Sequence, residues 1–150
     1  MEQINTKQPQ QATTEGKPDF EILNQYTKDF SFEAPSSPQI FFEKLETQPQ
    51  VDINLEVKTQ AMNDDLFEVM LVLKVRNTIA DKTIFVIDIS YAALAVIHSK
   101  DEDVRKRLLT KTVPAHIFPY IRALISDISG ASGFAPFILN PIDFEKIVLK

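Results

Sequence analysis

From Val51 onward the chain alternates apolar and polar positions: Val51, Ile53, Leu55 and Val57 are interleaved with Asp52, Asn54, Glu56 and Lys58. That period of two predicts a strand with one wet face. Asn63-Asp64-Asp65 supplies turn chemistry, after which Phe67, Val69, Leu71, Leu73 and Val75 alternate along a further strand. A turn over Asn77 to Lys82 leads to a fourth run, with Phe85, Ile87, Ile89 and Tyr91 on one face and Ile84, Val86, Asp88 and Ser90 on the other. Three consecutive strands with short turns argue for an antiparallel meander. Upstream, Glu21 to Phe32 reads as a first strand, stopped at Ala34-Pro35 because proline removes a ladder donor. Between Pro38 and Pro49, Ile40-Phe41-Phe42-Glu43-Lys44-Leu45 has neither period and reads as a loop crossing between strands.

Past Lys100 the spacing changes. Asp101, Glu102 and Asp103 precede Arg105, Lys106, Arg107 and Lys111, the order of charges that complements the dipole of a short exposed helix. Ile117, Ile121, Leu124, Ile125 and Ile128 then form the stripe of a long helix, with Pro114 or Pro119 in its first turn and Gly130 or Gly133 at its end. A last short helix is expected with Asn140 as N-cap, Pro141 at the first helical position and Phe144, Ile147 and Val148 as its apolar stripe. The fold class is therefore α+β, a four-stranded antiparallel sheet followed by two helices. Residues 20–150 form its single domain, and residues 1–19, too polar to repay ordering, form a disordered tail. Apolar side chains on both faces of the fourth strand exceed what two helices can cover, which predicts self-association of the chain through Ile87, Ile89 and Tyr91 together with the long helix.

Composition narrows the function. The 150 residues carry a net charge of −5, which repels phosphate backbones and argues against a nucleic-acid partner. No apolar run is long enough to insert into a membrane, and Met1 to Asp19 lacks the apolar core of a secretory signal, so a cytoplasmic location is expected. Zero cysteines exclude disulfides and thiolate chemistry, and three glycines leave no phosphate-cradling loop. His98 and His116 have no partner at metal-ligand spacing, and Asp64 and Asp65, adjacent in a turn, do not share a face. No cofactor, metal or catalytic residue is expected. The eleven phenylalanines are the positive signal, Phe41 and Phe42 above all, because their loop has no core period and semi-exposed rings suit apolar polypeptide.

The run Tyr26-Thr27-Lys28-Asp29-Phe30-Ser31-Phe32-Glu33-Ala34-Pro35-Ser36-Ser37-Pro38 resembles the first-strand signature of the SecB protein-export chaperones. His116-Ile117-Phe118-Pro119-Tyr120-Ile121-Arg122 and Leu139-Asn140-Pro141-Ile142-Asp143-Phe144 are similar to two later stretches of that family. The resemblance covers about residues 22–149. It implies a homotetramer, a dimer of dimers, that holds unfolded precursor polypeptides without ATP and passes them to the SecA motor. It implies a motor-binding face at Asp29, Glu33, Val86 and Asp88, and a client groove at Ile40, Phe41, Phe42 and Phe144. Departures are Leu45 near a position where many relatives have Trp, Tyr91-Ala92-Ala93-Leu94 in place of a Gly-Gly pair, and few residues after the last helix for a second motor contact. Two alternatives stand beside this reading: a SecB-like chaperone dedicated to one client such as a toxin–antitoxin partner, and a small isomerase or hydrolase using Asp143 or His116 as base.

Overall fold

The structure, a computed structural model, describes residues 18–44 and 46–147. The expected tail therefore falls almost wholly outside the described residues, as do Leu45 and Val148. Four strands, β1 (Phe20–Glu33), β2 (Gln50–Ala61), β3 (Leu66–Ile79) and β4 (Lys82–Ile97), form one antiparallel sheet in the order β1-β4-β3-β2. β2 to β4 are the meander that alternation predicts. β1 pairs with β4 at the opposite edge, so the loop from 34 to 49 must cross the sheet end, a span of three strand spacings or roughly 14 Å. Its middle is wound into a 3-10 turn, Gln39–Phe41.

The β2–β3 turn closes as expected, with the Asn63 side chain accepting from the Asp65 and Leu66 amides. The next turn is tighter than expected. The β3–β4 ladder continues to Ile79↔Lys82, so only Ala80 and Asp81 turn the chain, and Ala80 takes φ +49. Near its start β4 carries one extra residue, Ile84, between the pairs Asn77↔Phe85 and Thr78↔Thr83. That bulge removes Ile84 from the outer row in which simple alternation places it and buries it.

β1 carries two further extra residues, Leu23 and Lys28, and each shifts the register by one. After the second, Asp29, Ser31 and Glu33 pair with Ser90, Asp88 and Val86 on the outer face, while Phe30 and Phe32 pair with Ile89 and Ile87 on the inner face. The inner face is the core. Val69, Leu71, Leu73, Val75, Ile87 and Ile89 are buried beneath a long helical segment that supplies Ile117, Ile121 and Ile125.

That segment begins at α1 (Glu102–Arg107), capped by the Asp101 carboxylate, which accepts from the Asp103 and Val104 amides. It widens into a π turn over Leu108–Thr112 and continues as α2 (Val113–Ala131). The wide turn lies where the ring of Pro114 would otherwise press on the carbonyl of Thr110. Pro119 lies inside α2, and Gly133, with φ +90, follows its end. The expected last helix is reduced to one 3-10 turn, Phe144–Lys146, capped by Asp143 and not by Asn140. Residues 139–143 stay extended or irregular, and Phe144 is buried edge-on against Phe118 at 5.8 Å.

Candidate functional site

After Gly133 the chain turns back along the end of the sheet, and Ser129 holds it there. The buried Ser129 hydroxyl donates to the Ile125 carbonyl at 2.8 Å and accepts the Phe137 amide at 2.8 Å. The returning segment and the crossing loop thereby become the two walls of a half-open groove of about 610 Å³. Its floor is the sheet end, with Phe85 and Ile84, and its walls carry Phe41, Phe134 and Phe137. The rings form a chain: Phe41 to Phe134 at 5.4 Å, Phe134 to Phe85 at 5.6 Å, Phe85 to Phe137 at 6.1 Å. Gly133 is required twice over, by its positive φ and because a Cβ there would meet Phe41 Cζ at 3.0 Å.

The expected client residues divide. Ile40 and Phe41 line this groove, and Phe41 is half exposed. Phe42 beside it is 83% exposed. Phe144 is at another place, in the core under α2, and does not line the groove. Glu43 pairs with Lys82 and ties the crossing loop to the β3–β4 turn. Sequence reading missed the Phe134 and Phe137 wall, although Gly133-Phe134-Ala135-Pro136-Phe137-Ile138, apolar without either period, has the same signature as the loop of Phe41. It also missed Asn77, the one polar side chain lining the groove among the described residues.

On the outer face the ladder brings Asp29, Glu33, Val86 and Asp88 together, since Glu33 pairs with Val86 and Asp88 with Ser31. Asp88 also lies 3.6 Å from Lys74 on β3, so one cation borders the acidic row. Farther along the same face Glu68 is buried, accepting from the Tyr26 hydroxyl and from Lys28 Nζ at 2.8 Å. The hydrogen bond from Lys28, then that from Tyr26, holds the Glu68 carboxyl below its ordinary value. Burial, followed by the bond to Glu68 and its charge, pushes Tyr26 up to about 12.

Ile87, Ile89 and Tyr91 lie on the inner face and are covered within the chain, Ile87 fully. The excess of apolar surface that motivated an interface through them is thus largely taken up by α2. Tyr91 donates to Gln25 Oε1 at 3.2 Å and stacks on Tyr120 at 6.2 Å, and burial raises its phenol. What stays open beside them is a shallow apolar groove between β1 and α2, lined by Phe30, Ile89, Leu124 and Ile128. His116 and Asp143, the candidate bases of the enzyme reading, line a shallow groove of about 420 Å³. There Asp143 is engaged in capping the Glu145 amide, and His116 packs edge-on against Phe20 at 6.0 Å. Among the described residues no cluster of three His or carboxylate side chains could hold a metal, and no helix is long and apolar enough to cross a membrane.

A half-open aromatic groove of this size, bordered by loops and with Asn77 as its one polar side chain among the described residues, has the shape and chemistry suited to apolar side chains in any order, as in a polypeptide-binding protein of the chaperone class. The comparisons agree. The family described as Preprotein translocase subunit SecB matches residues 13–150. Protein-export protein SecB of Methylobacillus flagellatus is 38% identical over 138 residues, covering 92% of this chain and 87% of that protein. Its namesake from Xanthomonas oryzae pv. oryzae is 38% identical over 139 residues, 93% of this chain and 80% of that protein. Among solved structures, the SecB-like chaperone of Mycobacterium tuberculosis in complex with a peptide from an antitoxin matches with TM-score 0.67 and 19% identity, covering 83% of this chain and 91% of that one, a likeness of fold. The chain belongs to the SecB family of protein-export chaperones.

Proposed function

We propose that the chain holds unfolded precursor polypeptides in the cytoplasm, in the aromatic groove of Phe41, Phe85, Phe134 and Phe137, and delivers them to the SecA motor without ATP. The groove is the observation that carries this reading: its walls are rings on loops, able to bury apolar side chains of any order. The peptide-bound state of the structural neighbour supports a polypeptide as the occupant. Motor docking belongs to the outer-face row Asp29, Glu33, Val86 and Asp88, exposed or half-exposed carboxylates that would draw a basic segment of SecA. The homotetramer, a dimer of dimers, would use the apolar groove of Phe30, Leu124 and Ile128, which a second copy of the chain would cover while leaving Asp127 at its rim. A dedicated role toward one antitoxin-like client is the second reading, favoured by the neighbour's peptide alone.

The test separates the two surfaces. Exchanging Asp29, Glu33 and Asp88 for Asn, Gln and Asn keeps shape and removes charge, so SecA affinity should fall sharply while unfolded-client binding persists. Lys74→Gln, which unmasks Asp88, should act in the opposite direction and steepen the salt dependence. Calorimetry showing undiminished SecA affinity for the triple variant would refute the docking face.

A further inference from the structure

Asn77 lies on the inner face of β3, between Val51 and Phe85 in the ladder, at the position where the β4 bulge interrupts the pairing. Its side-chain amide is the groove's one polar lining group among the described residues, and its Oδ1 is buried without a hydrogen-bond partner. Such an oxygen lowers the stability of the free protein, and a leucine of similar size would fill an aromatic groove at no such cost. Bulges are also places where a strand re-aims a side chain at a site.

We infer that Asn77 is the backbone-reading residue of the groove, its side-chain amide hydrogen-bonding a main-chain amide of an extended client segment whose side chains lie among the rings. This rests on the groove being the client site. An extended chain entering an apolar groove loses water from its own N–H and C=O groups, and every polypeptide carries these groups whatever its side chains. One amide side chain can satisfy either of them, because a half-turn about χ2 exchanges its oxygen for its nitrogen with no change in shape. Asn77 therefore adds affinity for polypeptide over other apolar matter, such as a lipid chain or detergent tail, while leaving the sequence of the client unread.

The probe is a fluorescently labelled, unstructured peptide rich in leucine and phenylalanine, together with a set of analogues in which single backbone amides are N-methylated. Against the full chain, Asn77→Leu should weaken the parent peptide by roughly tenfold, the worth of about one hydrogen bond, while its melting temperature does not fall. N-methylation at one position of the peptide should weaken binding to the unaltered chain by a similar factor and binding to Asn77→Leu hardly at all. Affinity of a detergent monomer for the groove should be equal in the two proteins. Unchanged peptide affinity in Asn77→Leu, or the same N-methyl cost in both proteins, overturns the role of Asn77 and leaves the groove standing. Phe134→Ala provides the separate control: if it too leaves peptide affinity unchanged, the groove is not the client site, and both conclusions fall.

Discussion

Phe41 and Phe42 are neighbours in sequence, yet their replacement by alanine should have opposite signatures. Phe41 is 50% exposed, its inner half lying on Phe134 and over Gly133. If about 80 Å² of that ring is removed from water, at about 25 cal/mol per Å², Phe41→Ala costs about 2 kcal/mol of folding stability. For a domain of this size that is a fall in melting temperature of roughly 4–8 °C. Phe42, 83% exposed, has almost no folded-state burial to lose, so Phe42→Ala should melt within a degree or so of the unaltered protein. Binding reverses the contrast, because Phe42 can still bury nearly all of its ring against a client, worth up to about 3 kcal/mol, whereas Phe41 has only its outer half left to contribute. Scanning calorimetry on both variants and titration of an unfolded precursor followed by anisotropy measure the two quantities separately. Equal melting losses for the two, or a larger binding loss for Phe41→Ala than for Phe42→Ala, would show that the rings do not divide their work in this way.

The oligomer surface can be probed by contrasting Leu124→Asp with Ile89→Asp. Leu124 borders an open groove, so its charged variant should remain folded and lose self-association in light scattering; Ile89, at 1% exposure, should unfold the chain by burying an unpaired carboxylate. A Leu124→Asp protein of unchanged mass would remove that groove from the interface. The Tyr26–Glu68 pair predicts a particular alkaline behaviour. Because the folded phenol is raised above its unfolded value, its contribution is complete below about pH 10 and is lost as pH climbs toward about 12. Tyr26→Phe should lack that loss, and parallel pH dependence of urea unfolding in the two proteins would contradict it.

The elements that sequence reading placed well are those whose pattern is set by a single sheet face or a single helix stripe. β2 to β4 alternate because one face meets Ile117, Ile121 and Ile125 and the other meets water. The outer-face carboxylates were legible for the same reason: Asp29 and Glu33 both follow the second bulge, so counting by twos holds between them. Counting failed where long-range contacts set the geometry. Residues 134–143 hold no helix because Phe137 is tied to Ser129 and Phe144 is drawn beneath Phe118, contacts that local propensity cannot foresee. The coverage of Ile87 and Ile89 was missed for a related reason, since whether a helix lies over a given face depends on its path and not on how many helices follow the sheet. Half the groove was found through Phe41; the other half comes from a segment whose apolar run ends in irregular chain.

The two extra residues of β1 have a consequence for how this strand can change over evolutionary time. Residues up to Ile22 and those from Asp29 onward keep the same odd–even relation to the sheet, while the stretch Asn24 to Thr27 between them runs in opposite phase. The strand can thus change length at Leu23 or Lys28, which have no partner on β4, without turning any other residue to the wrong face. Deleting Lys28 would close the ladder from Thr27↔Tyr91 directly to Asp29↔Ser90 and leave Phe30 and Phe32 on the core face, whereas deleting a paired residue such as Ser31 would turn its neighbours to the wrong face unless the strand slid along β4. Deleting Leu23 and Lys28 together would leave one unbroken ladder from Phe20↔Ile97 to Glu33↔Val86 with every remaining residue on its present face. Surviving length variation in this strand should therefore fall at these two positions, one residue at a time.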